Sequence, residues 1–317
     1  MKVSVIGAGN VGATVANEIA RKDFAREVIL IDTKEGLTEG KALDMWQTSS
    51  VQGFTTRISG AGNDYLRTSG SDVIVITAGI PRKPGMDRDD LISTNARIIK
   101  EVTENVIKYS PGTIIIIVSN PLDVMTYAAW LSSGIEPSRV FGMAGILDTA
   151  RYKSFIAEEL NISPRNIHAI IMGGHGDTMV PLPRYTTISS IPVTEFLPAE
   201  ILNAIIERTK KGGGELVTLM GTSAWYAPGA AAAQMVEAIG RDQKHVFPVC
   251  TYLNGEYGLK DIFLGVPVIL GKNGVEKVIE LSLDKSEKEL LVQSANEVRS
   301  LMGVLDSMQI FKPPKWQ

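Results

Sequence analysis

A chain of 317 residues, 44% hydrophobic and 21% charged, has the balance of a folded globular protein large enough for two domains. With 32 Lys and Arg against 35 Asp and Glu, the formal net charge is -3, without the basic excess of a nucleic-acid binder. A single cysteine, Cys250, excludes an intramolecular disulfide, and three histidines without zinc-spaced Cys/His pairs give no reason to expect a metal.

The chain opens on "MKVSVIGAGNVG", in which Lys2 to Ile6 reads as a strand. That apolar stretch is too short for a signal peptide, and no run approaches the roughly 20 residues that span a bilayer. A soluble, cytoplasmic protein is expected. Val11, Val15 and Ile19 then recur at helical spacing, and Val28 to Ile31 is a second strand. Apolar runs at Val73 to Ile76, Ile114 to Val118 and Val140 to Met143 are further strands. Amphipathic stretches lie between them at Glu39 to Trp46, Leu91 to Lys108 and Val124 to Ser132. Strands that are apolar throughout, alternating with helices, predict a parallel sheet covered on both faces.

The second half reads differently. Helices are expected at Ile146 to Leu160, at Ala199 to Lys211 with a stop at Gly212-Gly213-Gly214, and at Ala230 to Ile239. Ile167 to Met172 reads as a strand, and the stretch from Phe247 as several strands with a hairpin at Lys272-Asn273-Gly274. Ser286 to Met308 is a last helix. These patterns divide the chain into 1–144 and 145–317, an α/β half followed by an α+β half.

In "VIGAGNVG", Gly7, Gly9 and Gly12 form GxGxxG between a strand and a helix. Such a loop lets backbone approach a pyrophosphate, which the helix N-terminus favours through its unpaired N–H groups and dipole. Ala8, Asn10 and Val11 fall inside it. Asp32 ends the second strand, where a carboxylate accepts hydrogen bonds from a ribose and repels a 2′-phosphate, so NAD is expected rather than NADP. The first half is therefore read as a Rossmann-type, doubly wound domain.

Asp148 and Arg151 in "GILDTARYKSF" share a helix face at i and i+3, as an ion pair or as site residues. His175 in "IIMGGHGDTMVP" sits between glycines after an apolar run, as a structural residue or a catalyst. Together the three side chains suit oxidation of a secondary alcohol. A histidine takes the hydroxyl proton, a carboxylate fixes its tautomer, and an arginine grips a substrate carboxylate.

The motifs "GAGNVG", "GIPRKPGMDR", "VSNPLD", "GILDTAR", "GGHGD" and "GTSAWYAPGAA" occur in that order across the whole chain. By these the sequence resembles the lactate/malate dehydrogenase family, and in its glycine spacing and arginine loop the malate-using branch built like lactate dehydrogenases. The resemblance implies His175 as proton acceptor and donor with Asp148 as its partner. It implies that Arg151 binds the carboxylate beside the reacting carbon and that Asn120 bonds the reacting oxygen. Val118 would lie along the nicotinamide, Ser119 and Asn120 would be cofactor contacts, and Asn95 would match another. The Asn120–Pro121 bond is expected to be cis. Use of malate in the tricarboxylic acid cycle and a homo-oligomer, a tetramer ahead of a dimer, are implied as well, with "GLTEGKALDMW" as a two-fold contact helix.

The segment Ala78 to Leu91, "AGIPRKPGMDRDDL", carries prolines and glycine that exclude a helix or central strand around them. The resemblance makes it a lid. Arg88 matches the arginine that polarises the substrate carbonyl, and Arg82 the position reading the substrate's far end, where a lactate enzyme carries glutamine. A second carboxylate, as in malate or oxaloacetate, would meet a cation there. A lactate dehydrogenase and a non-catalytic NAD-binding module remain as alternatives.

Overall fold

The computed structural model describes residues 1–81 and 87–311. The first half alternates strands and helices: Lys2–Ile6 (β1), Asn10–Arg21 (α1), Glu27–Ile31 (β2), Leu37–Gln47 (α2), Ser49–Gln52 (α3), Arg57–Gly60 (β3), Val73–Ile76 (β4), Arg88–Tyr109 (α4), Ile114–Ile117 (β5), Leu122–Ser133 (α5) and Val140–Gly142 (β6). Gly145–Leu160 (α6) follows, then the short strands Ile167–His168 (β7), Ile171–Met172 (β8), Val180–Pro181 (β9), Thr187–Ile188 (β10) and Ile191–Pro192 (β11). The chain continues with Ala199–Met220 (α7), Tyr226–Gly240 (α8), His245–Asn254 (β12), Lys260–Gly271 (β13), Gly274–Val278 (β14) and Lys285–Met308 (α9).

The main sheet runs β14-β13-β12-β6-β5-β4-β1-β2-β3. From β3 to β6 all neighbours are parallel, in the order 3-2-1-4-5-6 of a doubly wound dinucleotide fold. Alternate residues of each strand serve opposite faces. Val3, Val5, Val73, Val75, Ile114 and Ile116 pack in the layer of α1 and α8. Ile6, Ile74, Ile76, Ile115 and Ile117 pack in the layer of α4 and α5. Both faces are dry, which is why the strands read as unbroken apolar runs.

The expected boundary at 144–145 falls between β6 and α6. The sheet continues beyond it, because Cys250 of β12 pairs antiparallel with Gly142 of β6. The antiparallel β12, β13 and β14 extend this edge, and the Lys272-Asn273-Gly274 turn joins the last two as expected.

Two expectations need correction, and one strand goes unannounced. α7 does not stop at Gly212 but passes through all three glycines to Met220. The breaker signal is overruled by tertiary packing, since Gly212 lies against the Arg151 side chain, where a Cβ would come within 3.3 Å of Cδ. Ile167 to Met172 is not one strand: β7 pairs with β10, whereas β8 pairs with β9. β3 had no signal, because its only buried residue is Ile58 and edge strands need few apolar positions.

Candidate active site

The phosphate loop leaves the carboxyl end of β1 beside β4, where the sheet order reverses and ligands of such folds bind. Its three glycines are required for different reasons. Gly7 has φ +101°, and a Cβ there would lie 2.7 Å from Thr77 Oγ1. A Cβ on Gly12 would lie 1.8 Å from the Gly7 carbonyl oxygen. Gly9 has an ordinary φ of −64°, and a Cβ on it would meet nothing within 4 Å. Gly9 is also the N-cap of α1, and no side chain caps that helix. The first-turn N–H groups and the open space at Gly9 suit an anionic phosphate.

The peptide of Ala8 is gripped from both sides. Its N–H donates to Asp32 Oδ2 at 2.7 Å, and its carbonyl accepts from Lys41 Nζ at 2.7 Å. Asp32 thus stands just past the end of β2, against the loop. Across the crevice, Val118 and Ser119 are buried, and the Ser119 hydroxyl donates to the Ala78 carbonyl. The Asn120–Pro121 bond is cis. Asn95, 2% exposed on α4, ties this turn to the end of β4. Its Nδ2 donates to the Asn120 carbonyl at 2.7 Å, and its Oδ1 accepts from the Ile80 N–H at 2.8 Å.

A second cluster forms where α6 meets the loop after β8. Asp148 Oδ2 lies 2.8 Å from His175 Nδ1, and its Oδ1 lies 3.3 Å from an Arg151 terminal nitrogen. The Asp148 side chain is 2% exposed, so this is a buried pair of contacts and not the surface ion pair that i, i+3 spacing also allowed. Burial alone would push the His175 imidazolium below its ordinary pKa. Asp148, by charge and hydrogen bond, and Asp123, by charge, outweigh burial and the opposing Arg151, so the pKa is raised. Arg151 Nε is buried with no acceptor among the described residues. The glycines of α7 let that helix cross close to the guanidinium, a Cβ on Gly213 lying 3.9 Å from both terminal nitrogens.

His175, Arg151, Asn120, Val118 and Val11 line one cavity of about 360 Å³, so the phosphate-loop side and the histidine cluster share a space. Ser223, in the "GTSAWYAPGAA" motif, also lines it. Arg88 does not. It is the first residue of α4, and its guanidinium pairs at 2.8 Å with Glu297 of α9, both side chains being exposed. Arg82 lies outside the described residues.

Two buried residues at this centre had no sequence-based assignment. Asp123 accepts the His175 backbone N–H at 2.8 Å, and the Ser294 hydroxyl accepts that of Gly174 at 2.8 Å. Asp123 carried a usable signal, an acid amid Leu122, Val124 and Met125, because a charge in an apolar helix needs a partner. Ser294 carried none.

Residues 1–142 match the family model for the NAD-binding domain of lactate/malate dehydrogenases, and residues 146–304 match that for the family's α/β C-terminal domain. The chain belongs to the lactate/malate dehydrogenase family. It is therefore an NAD-dependent oxidoreductase. Among its relatives, the malate dehydrogenase of Cytophaga hutchinsonii is 62% identical over 97% of this chain and 99% of its own. The malate dehydrogenase structure from Salinibacter ruber superposes with a TM-score of 0.94 at 56% identity, covering 98% of this chain and 99% of the other. A Cryptosporidium parvum lactate dehydrogenase, solved with lactic acid and nicotinamide adenine dinucleotide, gives 0.92 at 40% identity over 96% and 98% of the two chains. The fold is common to both activities, so the choice of substrate rests on side chains.

Proposed function

We propose that this chain catalyses the reversible NAD-dependent oxidation of (S)-malate to oxaloacetate. The observation that carries this reading is the Asp148–His175 contact at 2.8 Å, opening with Arg151 onto a cavity that Val11 of the phosphate loop also lines. Asp148 accepts at Nδ1, which leaves Nε2 of His175 to take the substrate hydroxyl proton and to return it in the reverse direction. Arg151 binds the carboxylate beside the reacting carbon, and its Nε, without an acceptor among the described residues, gives it a donor to spare. Asn120 bonds the reacting oxygen. Bound nicotinamide supplies the hydride acceptor.

Gly7, Ala8, Gly9, Asn10, Val11 and Gly12 hold the pyrophosphate, Asp32 the adenosine ribose, and Val118 and Ser119 the nicotinamide side. Asn95 acts on the cofactor through the Asn120 turn that it braces. Arg88 polarises the carbonyl in the transition state by exchanging Glu297 for substrate. An exposed pair of that kind is worth only about 0–1 kcal/mol, so the exchange is cheap.

Arg82 decides the substrate. Oxaloacetate brings a second carboxylate, whereas pyruvate offers a methyl group and would leave Arg82 unpaired. A charge left without its partner costs about 3–5 kcal/mol, or about two to four decades in kcat/KM. Residues 1–144 would carry the cofactor and 145–317 the substrate groups. Use in the tricarboxylic acid cycle is what the family resemblance implies, and a lone cysteine, Cys250, fits a reducing, cytoplasmic compartment. No helix among the described residues is long and apolar enough to cross a membrane. The exposed Leu43 and Trp46 on α2 support a homo-oligomer contact there, with a tetramer preferred.

The test follows NADH absorbance with oxaloacetate and with pyruvate, in the native chain and in Arg82→Gln. The native chain should strongly prefer oxaloacetate. The variant should lose at least about 100-fold in kcat/KM for oxaloacetate and gain in relative use of pyruvate. Unchanged selectivity would overturn the assignment. Native preference for pyruvate would make this a lactate dehydrogenase, and NADH binding without turnover a non-catalytic module.

A further inference from the structure

The proton chemistry assigned to His175 uses Asp148, but a second carboxylate is buried at the same residue and has no role in it. Asp123 is the second residue of α5, directly after Asn120-Pro121-Leu122, and only 6% exposed. Its Oδ2 accepts the backbone N–H of His175 at 2.8 Å, across 52 residues of sequence. Its Oδ1 is buried and has no hydrogen-bond partner among the described residues. Burying a carboxylate with one oxygen unpaired is costly.

We propose that Asp123 is a positioning residue for His175, fixing the backbone of the proton-carrying histidine and adding a second negative charge that favours its imidazolium. The geometry divides the labour between two acids. Asp148 orients the ring at Nδ1, and Asp123 anchors the main chain from which the ring hangs. Because Asp123 follows Asn120 by three residues on the same turn, it also ties the proton carrier to the residue bonding the reacting oxygen. The glycines beside His175 supply no side-chain anchor of their own, so the anchor must come from a neighbouring element.

Charged and titratable groups surround the histidine on every side. Asp148 and Arg151 face it from α6, Asp123 from α5, and Asp177 and Lys210 from the cavity wall. Asp123 in turn meets the Cys250 thiol from β12. Burial, with the nearby Asp148 charge, leaves the Asp123 pKa raised, and the His175 N–H, the imidazolium charge and the Cys250 thiol offset this only in part. The His175 N–H is the strongest pull toward an ionised Asp123, and proton uptake by the ring adds to it, so the two groups reinforce each other.

This inference rests on His175 being the proton carrier, so the experiment separates the two. Native turnover of oxaloacetate and its loss in His175→Asn test that reading. Asp123→Asn and Asp123→Ala test the inference, with NADH affinity followed by fluorescence. Asp123→Ala removes anchor and charge, and should lower kcat for oxaloacetate at least about tenfold while NADH affinity stays within about twofold. Asp123→Asn keeps an acceptor, and should recover most of kcat at low pH. Oxaloacetate reduction needs the imidazolium, and loss of one negative charge lowers the His175 pKa. The fall in rate with rising pH should therefore come at lower pH in Asp123→Asn than in the native chain. An unmoved pH limb in Asp123→Asn would overturn the electrostatic part. Equal loss of NADH binding and turnover in Asp123→Ala, without recovery in Asp123→Asn, would make Asp123 a residue of the fold alone and overturn the whole proposal.

Discussion

The chain contains two glycine-rich loops that look alike in sequence and are built on opposite plans. In the phosphate loop, Gly7 and Gly12 are demanded by backbone and side chains close by: Gly12 would strike the Gly7 carbonyl, and Gly7 would strike Thr77. Backbone N–H groups there are the ones assigned the binding. In the histidine loop, a Cβ on Gly173 would meet Ser294 Oγ at 2.7 Å, and one on Gly174 would meet Val298 Cγ2 at 2.7 Å. Those glycines let α9 press against the loop, and His175, which follows them directly, is the side chain assigned the chemistry. The first loop is set by its own turn geometry and by the neighbouring ends of β2 and β4, through Asp32 and Thr77. The second is assembled from α5, α6 and α9, through contacts spanning 52, 27 and 120 residues.

If chemistry belongs to the histidine loop and binding to the phosphate loop, the two should be separable by mutation. The largest effect is expected from His175→Asn, which should lower kcat by about a thousandfold, within the range typical of a lost general acid–base. NADH affinity, read by fluorescence titration, should not change. The native pH profile sharpens this. Oxaloacetate reduction needs protonated His175, whose pKa stands above the ordinary value of about 6.5. Reduction should therefore hold through neutral pH and decline as pH rises past the raised pKa, while malate oxidation increases over the same interval. A midpoint below 6.5 for the limb would show that the paired acids do not control the ring.

The complementary break is Gly9→Ala. Its φ suits alanine and its Cβ would touch no protein atom, so folding stability should be unchanged. The new methyl group would occupy the space through which backbone approaches the pyrophosphate. NADH should bind about tenfold more weakly, about 1.4 kcal/mol, with kcat at saturation nearly native. A variant that binds NADH normally would remove Gly9 from the cofactor site.

The same contrast governs what could be read from the sequence. β1, β4 and β5 are buried on both faces, so each residue reports its environment, and the phosphate loop follows from its immediate neighbours. His175, Asp148 and Arg151 could be named as types suited to one reaction, but their meeting depends on α6 lying against the loop after β8. Local patterning carries no record of that. Asp123 shows in the sequence only as an acid amid apolar residues, because its partner is a backbone N–H far along the chain. The pairing of Arg88 with Glu297 joins residues 209 apart, and no motif announces it.

The misread glycine triplet of α7 gives the smallest test and shows why propensity failed. In a helix interior each glycine is disfavoured by roughly 0.5–1 kcal/mol relative to alanine. At Gly212 that penalty accompanies a close approach, since a Cβ would press on Arg151 Cδ at 3.3 Å. At Gly214 no atom lies within 4 Å of a Cβ, and the residue stands inside the helix. Alanine at Gly214 should therefore recover the propensity difference and stabilise the protein by about 0.5–1 kcal/mol in chemical denaturation. Alanine at Gly212 should gain less or nothing, because the same propensity is offset by displacement of Arg151, and substrate KM should rise with it. Equal stabilisation at both positions, with KM unmoved, would mean that the glycines do not serve the arginine, and α7 would be a helix that merely tolerates them.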